Sequence, residues 1–155
     1  MEKFITWKKG FFSNAFQLFE NGIQIGTLSF AMWTNKAKGI LNDKEFEYRT
    51  KGFFKPETEI GDLKNGNIVG KITYNEWKTK ATITLIDGRV CEWQYQNFWH
   101  TRWALNQGLY FINYKSSMLN GEITSHLPDE VLIITGLFVF NFFSRSHAAT
   151  AAAAT

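Results

Sequence analysis

Short runs of alternating apolar and polar residues fill most of the chain, which is the pattern of strands with one face in a core and the other in water. Cys91, Trp93 and Tyr95 lie on one face of such a run. Glu92 and Gln94 lie on the other. Asn-Gly pairs and single glycines separate the runs, as they do in β-hairpins. The pattern predicts about a dozen strands, at 4–7, 15–20, 23–30, 37–41, 45–51, 59–63, 67–74, 80–86, 89–96, 103–105, 109–115 and 122–125.

The longest apolar stretch, residues 131–143, carries no charge and is interrupted only by Thr135 and Asn141. A helix that is apolar on every face must be surrounded by lipid or by protein. A helix over this stretch would be about 20 Å long, whereas a bilayer core is about 30 Å thick. The stretch therefore predicts a helix enclosed by the rest of the chain, and we do not expect it to span a membrane.

The flanking residues favour a helix here over a pair of strands, which the many Val, Ile and Phe residues would also permit. Pro128 suits a first helical turn, and the two acidic residues after it lie where the helix dipole favours negative charge. Arg145 lies at the end that favours a base. We predict a helix over 128–144. The low-complexity tail, 145–155, is expected to fray or to extend the helix only weakly.

An internal repeat relates two segments of the first half of the chain at one constant offset of 44 residues. Residues 19–37 (FENGIQIGTLSFAMWTNKA) match residues 63–81 (LKNGNIVGKITYNEWKTKA) without a gap. Each copy reads as a hairpin, a strand, a short connection with a Trp and a further strand, which suits a closed sheet built from pseudo-symmetric units. The matched pairs are Asn21 and Asn65, Gly22 and Gly66, Gly26 and Gly70, Leu28 and Ile72, Phe30 and Tyr74, Trp33 and Trp77, and Ala37 and Ala81.

Two equivalent glycines of the repeat, Gly26 and Gly70, fall on the inward face of their strands. A glycine leaves no side chain on that face, which indicates a bend or the close approach of another element. The enclosed helix would be such an element.

Composition and charge add limits to this picture. A chain of 155 residues with 17% aromatic residues suits a single domain with a large, aromatic-rich core. The net charge of +3 permits contact with anionic lipid or nucleic acid but predicts neither. Cys91 is the only cysteine, so no internal disulfide forms and a reducing compartment suits the chain. The N-terminus lacks the apolar region of a secretory signal, and we therefore expect a cytoplasmic protein.

The predicted strands, the repeated NGxxxGxΦxΦxxW unit (Φ apolar) and the apolar helix opened by Pro128, Asp129 and Glu130 together resemble the tubby C-terminal-like superfamily. The short LURP-one-related and scramblase-like single-domain proteins look most similar. The resemblance covers residues 4–144. It implies a mainly β fold, a closed antiparallel barrel of about twelve strands around a central C-terminal helix over 128–144. On this basis the domain spans 1–144, and 145–155 form a tail.

The same resemblance bears on function. Tubby proteins bind phosphoinositides through basic residues on the barrel, and scramblases are associated with lipid movement. The chain lacks the acidic calcium loop and the cysteine cluster of the scramblases, so a scramblase role is not expected. The resemblance implies binding of phosphoinositides or phospholipids.

Few residues indicate catalysis or metal binding. His100, His126 and His147 lack the spacing of a metal site, and we expect neither a metal nor a cofactor. Cys91 and His100 are the residue types of a nucleophile and base, but a thiol on the apolar face of a strand is usually inert packing. No GxSxG motif, P-loop or GxGxxG motif is present. We therefore predict a non-enzymatic protein.

The aromatic run 93–103 (WQYQNFWHTRW) allows two interpretations. Aromatic side chains beside His100 and Arg102 resemble a stacking platform for single-stranded nucleic acid. Aromatic residues at alternating positions are more typical of a barrel core. We favour the core, and no nucleic-acid partner is expected.

Cationic side chains cluster after the two repeat tryptophans and around a break at residues 52–54. Such residues can contact lipid phosphates, although charge on a sheet exterior also serves to prevent edge pairing. The candidate residues for headgroup binding are Lys36, Lys38, Arg49, Lys51, Lys55, Lys78 and Lys80.

The sequence thus favours a monomeric, cytoplasmic module that binds anionic phospholipid at a membrane surface and is peripheral to that membrane. The alternative is a scaffold barrel with a protein partner and no small-molecule ligand. An enzyme is a third and weaker hypothesis.

Overall fold

Twelve strands and one helix make up the computed structural model, which describes residues 2–11, 13–32 and 34–154. The strands are β1 Lys3–Lys9, β2 Ala15–Glu20, β3 Ile23–Phe30, β4 Lys36–Leu41, β5 Lys44–Lys51, β6 Glu57–Asp62, β7 Ile68–Tyr74, β8 Lys80–Leu85, β9 Val90–Tyr95, β10 Arg102–Gln107, β11 Tyr110–Ser117 and β12 Asn120–Ser125. The helix, α1, is Glu130–Ala154.

The strands form one closed antiparallel barrel. Each strand pairs with the next along the chain, and β1 pairs with β12 to complete the ring. Because the sheet closes, every described strand has two neighbours and none has a free edge that invites pairing with another chain. The predicted fold class and the predicted strands are confirmed, with differences of a few residues at strand ends.

Helix α1 runs through the barrel from one end to the other. Every residue from 132 to 139 is buried, so this part of the helix has no face toward solvent. Before the helix, Asp129 contacts Arg89 in the β8–β9 loop. After the barrel, His147 lies beside the backbone of Trp77 in the β7–β8 loop, at the opposite end. The enclosed helix predicted from the sequence is therefore confirmed.

Gly136 is the tightest point between helix and barrel. Its carbonyl oxygen accepts hydrogen bonds from the indole N–H groups of Trp93 (2.9 Å) and Trp103 (3.1 Å). A Cβ atom at this position would lie 2.0 Å from the Tyr114 hydroxyl oxygen, well inside contact distance. A glycine is thus required for the helix to seat against β11.

Tyrosine hydroxyls bind the helix on other sides. The Tyr114 hydroxyl donates to the carbonyl oxygen of Ile133 at 2.9 Å. The hydroxyls of Tyr48 and Thr135 are hydrogen-bonded at 2.9 Å. Burial raises the pKa of Tyr48 and Tyr114 above the ordinary value, so both hydroxyls stay protonated at neutral pH. These bonds satisfy polar groups that would otherwise be costly inside an apolar core.

The two inward-facing positions of the repeat require glycine for a different reason from the one expected. A Cβ at Gly26 would lie 2.1 Å from the carbonyl oxygen of Ile40 in the neighbouring strand, and Gly70 approaches the backbone of Thr84. Both glycines follow a β-bulge in the preceding hairpin. Strand-to-strand approach at a bulge, and not the helix, therefore explains them. The glycine that does face the helix is Gly39, whose Cβ would lie 2.6 Å from Ile134.

The helix begins later and ends later than the predicted range 128–144. Asp129 precedes it as the capping residue, and its carboxylate accepts from the Leu132 N–H at 3.4 Å. At the other end the helix continues to Ala154, because alanine has the highest helix propensity. By length and composition alone, the helix is long and apolar enough to cross a membrane. However, 56% of the 18-residue stretch that meets this criterion is buried inside the protein, as in a core helix.

Substitution of Gly136 tests the enclosed helix. Gly136→Leu is expected to lower the free energy of unfolding by about 3 kcal/mol or more, because Tyr114 and the helix cannot both keep their places. Urea denaturation measures the change. Ala151→Leu, on the exposed end of the same helix, is the control and should unfold like the wild type. Equal stability of the Gly136→Leu variant would contradict an enclosed helix.

The helix start provides a second test. Asp129→Ala removes both the cap and the 2.7 Å ion pair with Arg89. This change should cost about 1 kcal/mol in the same assay. The matched control is Asp87→Ala, which also removes a carboxylate from Arg89 but leaves the helix capped. A larger loss from Asp87→Ala than from Asp129→Ala would show that the cap is unimportant.

Candidate functional site

The loops at the end of the barrel where the helix emerges form what we call the exit rim. In an antiparallel meander, alternate loops lie at the same end. The exit rim comprises the six loops that follow the odd-numbered strands, together with the strand residue on either side of each loop and the helix from Arg145 onward. The other loops and strand ends, with residues 2 and 126–130, form the opposite rim. Phe12 and Trp33, the repeat partner of Trp77, lie outside the described residues.

Large apolar side chains project into solvent from every loop of the exit rim. Phe54 is 94% exposed, Trp77 is 80% exposed and Trp99 is 76% exposed. Isolated exposed apolar residues are common, but a ring of large apolar side chains around one end is not needed for folding. The exposed residues of this ring are Phe11, Met32, Phe53, Phe54, Trp77, Phe98, Trp99, Met118 and Leu119.

In two of these loops, an asparagine side chain forms the same pair of hydrogen bonds with the backbone. The Asn75 side-chain oxygen accepts from the backbone N–H groups of Thr79 and Lys80, at 2.9 and 3.0 Å. In the next loop of the rim, the oxygen of Asn97 accepts from two backbone N–H groups in the same way. The loop tips, with Trp77 in the first, are therefore presented by ordered turns.

The exit rim is basic and the opposite rim is acidic. In the described part of the exit rim, only Glu57 and Glu76 are acidic. The cationic residues there are Lys9, Lys36, Lys51, Lys55, Lys78, Lys80, Arg102 and Arg145. The opposite rim carries the acidic residues Glu2, Glu20, Asp43, Asp62, Asp87, Asp129 and Glu130 against the cations Lys3, Lys44, Lys64 and Arg89.

The structure divides the predicted headgroup-binding residues into two groups. Lys38 and Arg49 lie on the outer wall of the barrel, where Lys38 pairs with Glu45 at 3.6 Å and Arg49 pairs with Glu47. The other predicted residues come together on the exit rim; they are Lys36, Lys51, Lys55, Lys78 and Lys80.

A cleft opens beside the helix at this rim, and we call it the exit cleft. It has a volume of about 310 Å³, and Phe30, Phe138 and Phe142 form much of its apolar lining. Lys36 and Arg145 also line it. A smaller cavity of about 120 Å³ shares Phe30 and Arg145 with the cleft. The exit rim thus combines an open apolar recess with two cations.

Cys91 and His100, the nucleophile and base considered from the sequence, are not brought together. Cys91 lies in the core near the start of β9, where burial raises its pKa to about 11. His100 lies beyond the other end of β9 and stacks on Tyr95, with ring centroids 3.8 Å apart. Burial, with a smaller contribution from His147, lowers the pKa of His100. No group of three His, Cys, Asp or Glu side chains in the described residues is arranged for a metal ion.

The interpretation of 93–103 as barrel core holds for only part of that run. Trp93 and Trp103 are buried in the core, whereas Phe98 and Trp99 are exposed at the rim. Apolar and polar residues no longer alternate at Phe98 and Trp99, which are consecutive in the sequence. The segments 75–80 (NEWKTK) and 97–102 (NFWHTR) share an Asn-x-Trp-x-Thr-cation pattern that identifies both as loops.

Comparison of the chain with protein families, with curated proteins and with solved structures finds no match. Membership of the tubby C-terminal-like superfamily therefore remains a prediction from the resemblance. The site has to be interpreted from its own residues and geometry.

Proposed function

We propose that the protein is a non-enzymatic, peripheral module that binds the surface of an anionic membrane through its exit rim. The observation that carries this proposal is the ring of exposed, mostly aromatic, apolar side chains interleaved with cations around the emerging helix. On this proposal the protein acts as a monomer on a cytoplasmic membrane face, and no cofactor is needed.

The aromatic residues suit the region between lipid headgroups and acyl chains. Trp side chains favour this interface, because the ring is apolar and its N–H can still reach water or a headgroup. Since Phe53, Trp77 and Phe98 project from different loops around one end, they can contact a plane simultaneously. Such a ring suits a flat surface better than a small ligand that binds in a groove.

The charge asymmetry supports the same orientation. Each Lys or Arg near an anionic membrane contributes about 1 kcal/mol, and acidic residues are repelled. A barrel standing on its exit rim places its cations against the lipid and its acidic rim away from it. The emerging helix, which is apolar and alanine-rich after His147, would enter the same interface.

A protein partner is the second candidate, and it has an observation of its own. The opposite rim exposes aliphatic side chains, with Leu109 90% exposed and Ile86 78% exposed. These residues lie among acidic ones, so a basic protein surface would be the complementary partner.

Removal of rim aromatics tests membrane binding. Phe54→Ala and Trp77→Ala should each weaken co-sedimentation with phosphatidylserine-containing vesicles by about tenfold, because burial of a large apolar side chain contributes about 1.5–3 kcal/mol. Leu109→Ala, on the opposite rim, is the matched control and should bind like the wild type. Equal binding to neutral and anionic vesicles, or a Leu109→Ala variant as weak as Trp77→Ala, would contradict the proposal.

Removal of rim charge provides an independent test. The double variant Lys51→Gln/Lys55→Gln should bind the same vesicles about 30-fold more weakly at low salt, at about 1 kcal/mol per charge, and this difference should shrink as salt rises. The control pair Lys44→Gln/Lys64→Gln removes the same charge from the opposite rim. If the wild type bound a single-stranded oligonucleotide but not vesicles, a nucleic-acid function would replace this proposal.

A further inference from the structure

We infer that the exit cleft binds one single-chain anionic lipid, such as a fatty acid or a lysophospholipid. This inference deepens the proposed function, and it rests on that function for delivery of the ligand from a membrane surface. The cleft lies between the emerging helix and strands β3 to β5, on the rim that we expect to face the bilayer.

The apolar part of the cleft suits an alkyl chain. The rings of Phe30 and Phe138 are nearly parallel, with centroids 5.9 Å apart, and those of Phe138 and Phe142 are arranged similarly at 6.2 Å. Together the three rings form a continuous apolar wall. The cleft, at about 310 Å³, is near the lower limit for small-molecule sites in proteins. Its size therefore favours one alkyl chain over the two of a diacyl lipid.

The cationic part suits the anionic group of such a lipid. Lys36 and Arg145 both line the cleft, and neither forms an ion pair with an acidic side chain in the described residues. The Arg145 guanidinium instead lies over the Phe30 ring, 5.8 Å from its centroid. This cation–π contact therefore places the positive charge of Arg145 next to the apolar wall of the cleft. A carboxylate or phosphate placed there would have two charged donors.

Asn141 adds a polar group beside the cleft. It is only 5% exposed, and it lines the smaller cavity beside Arg145. Thr135, the other polar interruption of the apolar stretch, is bonded to Tyr48. An amide in the wall of this cavity can donate to a ligand oxygen or accept from a ligand hydroxyl.

Titration with a water-soluble amphiphile tests the inference without a membrane. Dodecyl phosphate, kept below its micelle concentration in isothermal titration calorimetry, should bind with 1:1 stoichiometry. Arg145→Gln should weaken this binding about tenfold through loss of a charged hydrogen bond. Ala149→Phe, which fills the cleft and keeps both cations, should also weaken it. Lys78→Gln, which removes a rim cation outside the cleft, is the matched control and should leave it unchanged.

Three further probes test the contributions of the anionic group and of the alkyl chain separately. Laurate should bind in the same way, whereas inorganic phosphate and dodecanol should bind at least tenfold more weakly. Absence of saturable 1:1 binding, equal affinity for inorganic phosphate or dodecanol, or equal loss in Lys78→Gln would overturn the inference. Vesicle binding without amphiphile binding would reject only the cleft. Amphiphile binding without vesicle binding would reject only the membrane-docking function.

Discussion

A helix that is apolar on every side has to be enclosed, and this constraint accounts for the architecture of the protein. No single sheet face or partner helix can cover such a helix, but a closed barrel can. The barrel in turn needs the helix, because its inward side chains would otherwise line an empty cavity. The fit depends on Gly136, which lets Tyr114 approach and whose carbonyl oxygen binds the indoles of Trp93 and Trp103.

Because the helix occupies the interior of the barrel, the candidate functional residues lie at the ends of the barrel. A lumen filled by its own helix differs from the lumen of lipocalin-type barrels, which holds a ligand. The wall cations Lys38 and Arg49 are paired with neighbouring glutamates. The exit rim is different, because its loops expose aromatic side chains and its cations outnumber its acidic residues. The helix connects the two ends, with acidic residues at its start and cations around its exit, as its dipole favours.

Much of the fold could be predicted from the sequence, because it depends on local patterns. Alternation located the strands, and the uncharged stretch at 131–143 located the enclosed helix. The 44-residue repeat appears in the structure as two hairpins with equivalent bulges before Gly26 and Gly70. The reason for glycine at these positions was not predictable, since the carbonyl oxygen of Ile40 approaches Gly26 only once the strands are paired. The sequence predicts too short a helix, because the low complexity of residues 145–155 indicates fraying, whereas their alanines have a high helix propensity.

The candidate site was harder to predict because it depends on which end of the barrel each loop reaches. Loops far apart in sequence, such as 52–56 and 96–101, lie on one rim only because the antiparallel order alternates. The sequence therefore identifies the cationic candidates but does not separate them into a rim group and a wall group. It also does not distinguish Phe98 and Trp99 from core residues, because their run begins and ends with tryptophans that are buried.

Amide hydrogen exchange in the presence and absence of anionic vesicles reports which end of the barrel meets the membrane. We expect slower exchange in the exit-rim loops 52–56, 75–79 and 96–101 when vesicles are added. Exchange in the opposite-rim loops 63–67 and 86–89 should not change. Protection confined to the opposite rim, or no protection at either rim, would rule out docking through the exit rim.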